Sequence, residues 1–170
     1  MERKEWVIKM DILRNLSHRL SYDEADLCPG GEEDIEKVIA QSPVPLPEDY
    51  LALLKEISGE GSWGIEFGLK NGDENSTLCI SIYSAYGALE KCGDWEFFGE
   101  RANKEFFSKV WVFGDDLGDL IYFFGEGQEG FGLYVTEDGV CDLKSSHKLA
   151  DTLTDLLVHG VGIDAATGDY

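Results

Sequence analysis

Three carboxylates stand close together after an apolar run: Asp115, Asp116 and Asp119 follow Val110-Trp111-Val112-Phe113-Gly114. That spacing has the donors for a hard cation such as Mg²⁺ or Ca²⁺, but lacks the alternating ligands and closing glutamate of an EF-hand loop, so a solvated turn is the favoured reading. Two G-x-G-x-x-G matches, at Gly59-Gly61-Gly64 and Gly125-Gly127-Gly130, invite a dinucleotide reading. Such a site needs strand, glycine turn and helix in that order, because the helix N-terminus holds the pyrophosphate. The first match follows a helix and precedes a strand. The second joins two strands, and each places a glutamate where phosphate would sit. Both read as turns.

Nucleophilic chemistry has equally little support. There is no G-x-S-x-G. A dyad of Cys92 or Cys141 with His147 has no motif behind it. The four cysteines, Cys28, Cys79, Cys92 and Cys141, form no C-x-x-C pair, and three histidines add little to a zinc set. Small buried thiols are expected. No catalytic, metal or cofactor site is assigned from the sequence, and the acid cluster at 115–119 is the one handle for a metal-dependent enzyme.

Charge says more. The 170 residues hold 34 Asp and Glu against 14 Lys and Arg, a net charge of −20. Between Lys109 and Lys144 there are eight carboxylates and no basic residue. Such a surface repels phosphate backbones and anionic membranes, and steers basic proteins toward itself. Solubility alone accounts for the charge equally well. The aromatic residues gather in the second half. Trp95, Phe97 and Phe98 fall outside a clean period, either packed at a sheet edge or standing as an exposed anchor for a protein partner. The candidate partner-binding residues are therefore Asp115, Asp116, Asp119, Glu126 and Glu129, with Trp95 and Phe98 as anchors.

The elements that position these residues follow from periodicity. Trp6, Met10, Leu13, Leu16 and Leu20 predict a helix over about 4–20. A loop covers 21–31, a helix 32–41, and a clearer helix starts at Pro47 with the stripe Leu46, Tyr50, Leu53, Leu54, Ile57, ending at Gly59. Strands are expected near 63–69 and at 78–82, the latter half-buried by alternation. Ser84 caps a short helix to Cys92, and another lies at 100–108. The runs 110–114 and 120–124 are central strands. Phe131, Leu133 and Val135 pair with Val140 and Leu143 as a hairpin across Asp138-Gly139. Ser146 caps a helix bearing Leu149, Leu153, Leu156 and Leu157, which stops at His159-Gly160. Residues 161–170 form a frayed tail. No apolar run spans a bilayer and no secretory signal is evident, so a cytoplasmic location is expected.

The helix start Leu46-Pro47-Glu48-Asp49-Tyr50-Leu51-Ala52-Leu53-Leu54, the run Val112-Phe113-Gly114-Asp115-Asp116-Leu117-Gly118-Asp119, the strand carrying Tyr134 and the closing Leu153, Leu156, Leu157 together resemble the SUKH superfamily. That superfamily includes the yeast cell-wall-synthesis regulator and many bacterial immunity proteins. The resemblance covers 32–158, leaving 1–31 as an N-terminal helix and loop and 159–170 as a short tail. Ser58, before Gly59, departs from the more turn-prone residue expected there. The resemblance implies a single α+β domain with a mixed, mainly antiparallel central sheet flanked by helices. It implies no enzyme and no cofactor, but a protein that binds and neutralises a cognate toxin domain, often a nuclease. Joined to the charge, it points to a basic toxin; the alternative is an intracellular scaffold or regulatory protein-binding module of the same fold.

Overall fold

The strands lie side by side in the order in which the chain makes them. The computed structural model describes residues 11–70, 78–98 and 101–170, with 94–98 and 101–103 as backbone only. Seven strands form one sheet in the order β1 (Leu20–Ser21), β2 (Gly64–Leu69), β3 (Cys79–Tyr83), β4 (Trp111–Asp115), β5 (Leu120–Gly127), β6 (Gly130–Glu137), β7 (His147–Ala150). Every neighbouring pair is antiparallel. The helices are α1 (Glu32–Gln41), α2 (Glu48–Ile57), α3 (Ala85–Phe98), α4 (Arg101–Phe107), α5 (Leu153–Leu157) and α6 (Ile163–Ala166). This is an α+β domain.

Alternation along β5 sends Tyr122 and Phe124 to one face and Phe123 to the other. On the first face Tyr50 of α2 packs against Phe113 and Phe124, with ring centroids 6.0 and 4.9 Å apart, and accepts a hydrogen bond from Trp111 Nε1 at 3.1 Å. The Tyr122 hydroxyl donates to the Ala166 carbonyl at 2.5 Å and holds α6 there. On the second face Phe106 of α4 meets Phe123 edge-on at 5.1 Å. Both faces of the central strands are thus covered, as the unbroken apolar runs of β4 and β5 require.

Several expectations need correction. Residues 11–20, the described part of the expected first helix, form a turn and then β1. The Asp11 carboxylate accepts the Leu13 amide at 3.0 Å, Ser17 N donates to Leu157 O at 2.8 Å, and Leu20 pairs with Leu69. Tertiary partners override the helical spacing. Strand β3 is buried on both faces rather than one, because α3 lies along its second side. The helix begun by Ser84 runs on to Phe98.

The hairpin lies elsewhere than expected. β6 folds back on β5, with Gly127 opposite Gly130, and its other edge takes β7. Residues 138–146 form turns and irregular chain, with no strand. The helix expected after Ser146 divides: Leu149 belongs to β7, and α5 starts later, capped by the Thr152 side chain accepting from Asp155 N at 3.0 Å. The tail carries α6, with Ile163 and Ala166 fully buried, and is not frayed. Two of the four cysteines, Cys79 and Cys141, are buried; Cys28 and Cys92 are half-buried.

Ser58 has a local explanation. Its hydroxyl accepts from Ala85 N at 2.9 Å and so caps the start of α3, a job the turn-prone residue expected there would not do. The first glycine motif is structural too. Gly64 opens β2 at φ +141°, and a Cβ there would run into the Ile82 carbonyl across the pair. In the second motif Gly127 leaves room for the Tyr134 ring, whose hydroxyl donates to Gly130 O at 2.6 Å and clasps the hairpin turn.

Candidate functional site

One cross-strand row organises the second face. Glu66 of β2 lies opposite Ser81 of β3, and Ser81 lies opposite Asp115 of β4. Each alternates with residues of the other face: Glu66 stands between Ile65 and Phe67, and Ser81 between Ile80 and Ile82, all four essentially buried. Above this row α3 on one side and the β4–β5 loop on the other leave an open groove of about 360 Å³. Asp26, Glu66 and Asp115 bring carboxylates to it; Lys91 of α3 brings one ammonium; Trp63 and Leu117 stand at its lip.

The groove has a rigid frame. The Tyr83 hydroxyl donates to Asp115 Oδ2 at 2.5 Å, while Asp115 Oδ1 accepts from Leu117 N at 2.9 Å. Asp116 Oδ1 accepts from Gly118 N and Leu120 N at 2.8 and 3.0 Å. These bonds hold Leu117 at φ +62°, a conformation costly for leucine, with 60% of its surface exposed. At the opposite lip Trp63 is also 60% exposed and meets Tyr86 edge-on at 5.0 Å. Its backbone is fastened by Ser84, whose amide donates to Trp63 O at 2.9 Å and whose hydroxyl donates to Ser62 O at 2.6 Å. An exposed tryptophan on a fixed backbone presents contact area at low entropic cost.

The local field is negative. Burial first, then the charges of Glu66, Asp115 and Asp116, push the Cys79 thiol up to about 11. Burial, then the hydrogen bond to Asp115, raises Tyr83 far above the ordinary phenol range, so it stays a donor. Neither Asp26 nor Glu66 has an ion-pair partner among the described residues.

The five sequence-derived candidates whose side chains are described do not converge. Asp115 and Asp116 are half-buried and spend acceptor capacity on the loop itself, and Asp119 is exposed beside them. Glu126 and Glu129 are exposed at the far end of β5, a strand length of ~23 Å at ~3.3 Å per residue. The Trp95 and Phe98 side chains lie outside the described residues. Of the five candidates whose side chains are described, the groove takes Asp115 alone into its lining. Sequence reasoning missed Trp63, Glu66, Ser81 and Tyr83. Glu66 was readable as the charged member of an apolar strand. That β3 would set it beside Asp115 was not.

No dyad forms at Cys141. Its thiol donates to Asp138 O at 2.9 Å and burial pushes it up to about 11, while the His147 ring stacks on Tyr170 at 5.1 Å. Among the described residues no cluster of three or more His, Cys, Asp or Glu could hold a metal ion, and no helix is long and apolar enough to cross a membrane.

Compared with known proteins, residues 29–159 match the model of the SMI1 / KNR4 family (SUKH-1). No curated protein and no solved structure matches the chain.

Proposed function

Because the chain belongs to the SMI1 / KNR4 family (SUKH-1), we propose that it works by binding a protein, as an immunity protein that holds a cognate, basic, nuclease-type toxin domain inactive. The observation that carries this reading is the groove: carboxylates without ion-pair partners among the described residues, floored by the Glu66–Ser81–Asp115 row and flanked by an exposed tryptophan. Nuclease domains are basic where they grip nucleic acid, and a negative surface both steers such a partner in and occupies that patch. The net charge of −20 adds long-range attraction, which salt screens within about 10 Å. No catalytic step is needed for this action.

The test is affinity capture of the tagged chain from its host at low and high salt. One stoichiometric basic polypeptide, weakened at high salt and toxic when expressed without this chain, is the expected result. Several weakly held, substoichiometric proteins would sink this reading in favour of a scaffold or regulatory module.

A further inference from the structure

The geometry points to an arginine side chain of the partner polypeptide as the occupant of the groove, its guanidinium set between Glu66 and Asp115 over the Ser81 hydroxyl. This rests on the reading that the partner is a basic protein and adds what the groove itself reads.

Ser81 supplies the observation independent of charge. It is 9% exposed, its Oγ has no hydrogen-bond partner among the described residues, and it lines the groove floor. Among the described residues no sealed side-chain polar atom lacks a partner, so this hydroxyl opens onto the groove, where an N–H donor can replace solvent as its partner. Its neighbours along the row are both carboxylates, and strands are ~4.8 Å apart, which sets Glu66 and Asp115 roughly 10 Å apart at the backbone. Two carboxylates reaching inward from that separation can flank one planar cation.

The acceptor set suits guanidinium better than ammonium. Glu66 and Asp26 offer carboxylates with no ion pair among the described residues. Asp115 has one bond on each oxygen and keeps a lone pair on each, its orientation fixed by Tyr83. A guanidinium spreads five donors in a plane, whereas an ammonium concentrates three at a point. Trp63 at the lip offers an aromatic face, which guanidinium stacks on more readily than ammonium. Lys91 in the wall leaves three carboxylates against one cation, a net negative site. At about 360 Å³ the groove stands near the small end of the roughly 300–1,000 Å³ typical of ligand sites, a size for one long side chain.

The experiment titrates the full chain, observed by NMR at low salt, with acetyl-Gly-Arg-Gly-amide and with its lysine and citrulline counterparts. The arginine peptide is expected to move the Trp63 indole N–H and the amides of Glu66, Ser81, Tyr83 and Leu117. Citrulline, isosteric but uncharged, is expected to move none. The lysine peptide should bind about threefold more weakly, and Glu66→Gln or Ser81→Ala should weaken arginine binding by about fivefold. Glu66 is exposed and Ser81→Ala removes one unpaired oxygen, so both variants should fold, which circular dichroism checks. Equal responses to arginine and lysine, shifts scattered over the acidic surface, or no response would each overturn the inference. If a salt-sensitive basic polypeptide is still captured and Glu66→Gln leaves its affinity unchanged, this inference fails alone and the immunity reading stands.

Discussion

Asp49 and Thr154, 105 residues apart, are joined by two hydrogen bonds to a single oxygen: Asp49 Oδ2 accepts from the Thr154 amide and from its hydroxyl, each at 2.9 Å. The first turn of α2 is thereby tied to the first turn of α5. Bonds to an ionised acceptor contribute more than neutral ones. Asp49→Ala should cost about 2 kcal/mol, and a double-mutant cycle with Thr154→Val, which removes the hydroxyl, should show about 1 kcal/mol of coupling. Urea unfolding measures both; additive losses would show that the pair does not act as a unit.

Tyr83→Phe should destabilise the chain by about 1–2 kcal/mol, because it strips the buried donor from Asp115. The same carboxylate accepts from Leu117 N, so hydrogen exchange at Leu117 should quicken beyond the global change. Exchange that tracks global stability alone would separate the loop from Tyr83.

Trp63→Ala removes a side chain that is mostly outside the core. Stability should move by about 0.5 kcal/mol or less, while affinity for the protein partner falls at least about tenfold. Glu126→Gln with Glu129→Gln, at the other end of β5, should slow association at low salt and leave dissociation unchanged. Surface plasmon resonance separates the rates. An off-rate effect from the glutamates and none from Trp63 would move the contact to the hairpin end.

Alkali should destabilise this fold through its thiols. Burial raises Cys79 and Cys141 from an ordinary 9.0 to about 11 each, so the folded chain keeps protons that the unfolded chain gives up. Their contribution is fully present below 9.0 and is lost as pH rises toward about 11. The buried hydroxyls of Tyr50, Tyr83 and Tyr122 are raised as well and add to the same loss. Replacing both cysteines with alanine should make the alkaline decline shallower. Mass-spectrometric mapping of iodoacetamide adducts should find Cys79 unmodified at neutral pH.

What was legible in the sequence followed one local period at a time. Helices α1 and α2 carry their own start signals, Glu32-Glu33-Asp34 and Pro47-Glu48-Asp49, and their own apolar stripes; both stand where expected. β4 and β5 are apolar on both sides and sit in the middle of the sheet. The errors fall where two periods overlap. Leu149, Leu153, Leu156 and Leu157 fit one helix, yet Leu149 belongs to an edge strand and Thr152 restarts the chain. The spacing of Leu13, Leu16 and Leu20 fits a helix too, but Leu20 finds Leu69, a partner no local pattern announces. The site was hidden for the same reason. Asp115 was visible as a charge, but its neighbours Ser81 and Glu66 come from strands 34 and 49 positions upstream, and only register brings them together.

The groove floor is made from alternate residues of strands whose other residues build the core. Glu66 can change while Ile65 and Phe67 stay, and Ser81 while Ile80 and Ile82 stay. A two-residue period therefore writes two texts on one strand, one for the core and one for the groove. The second can be rewritten letter by letter, at little risk of unfolding the first.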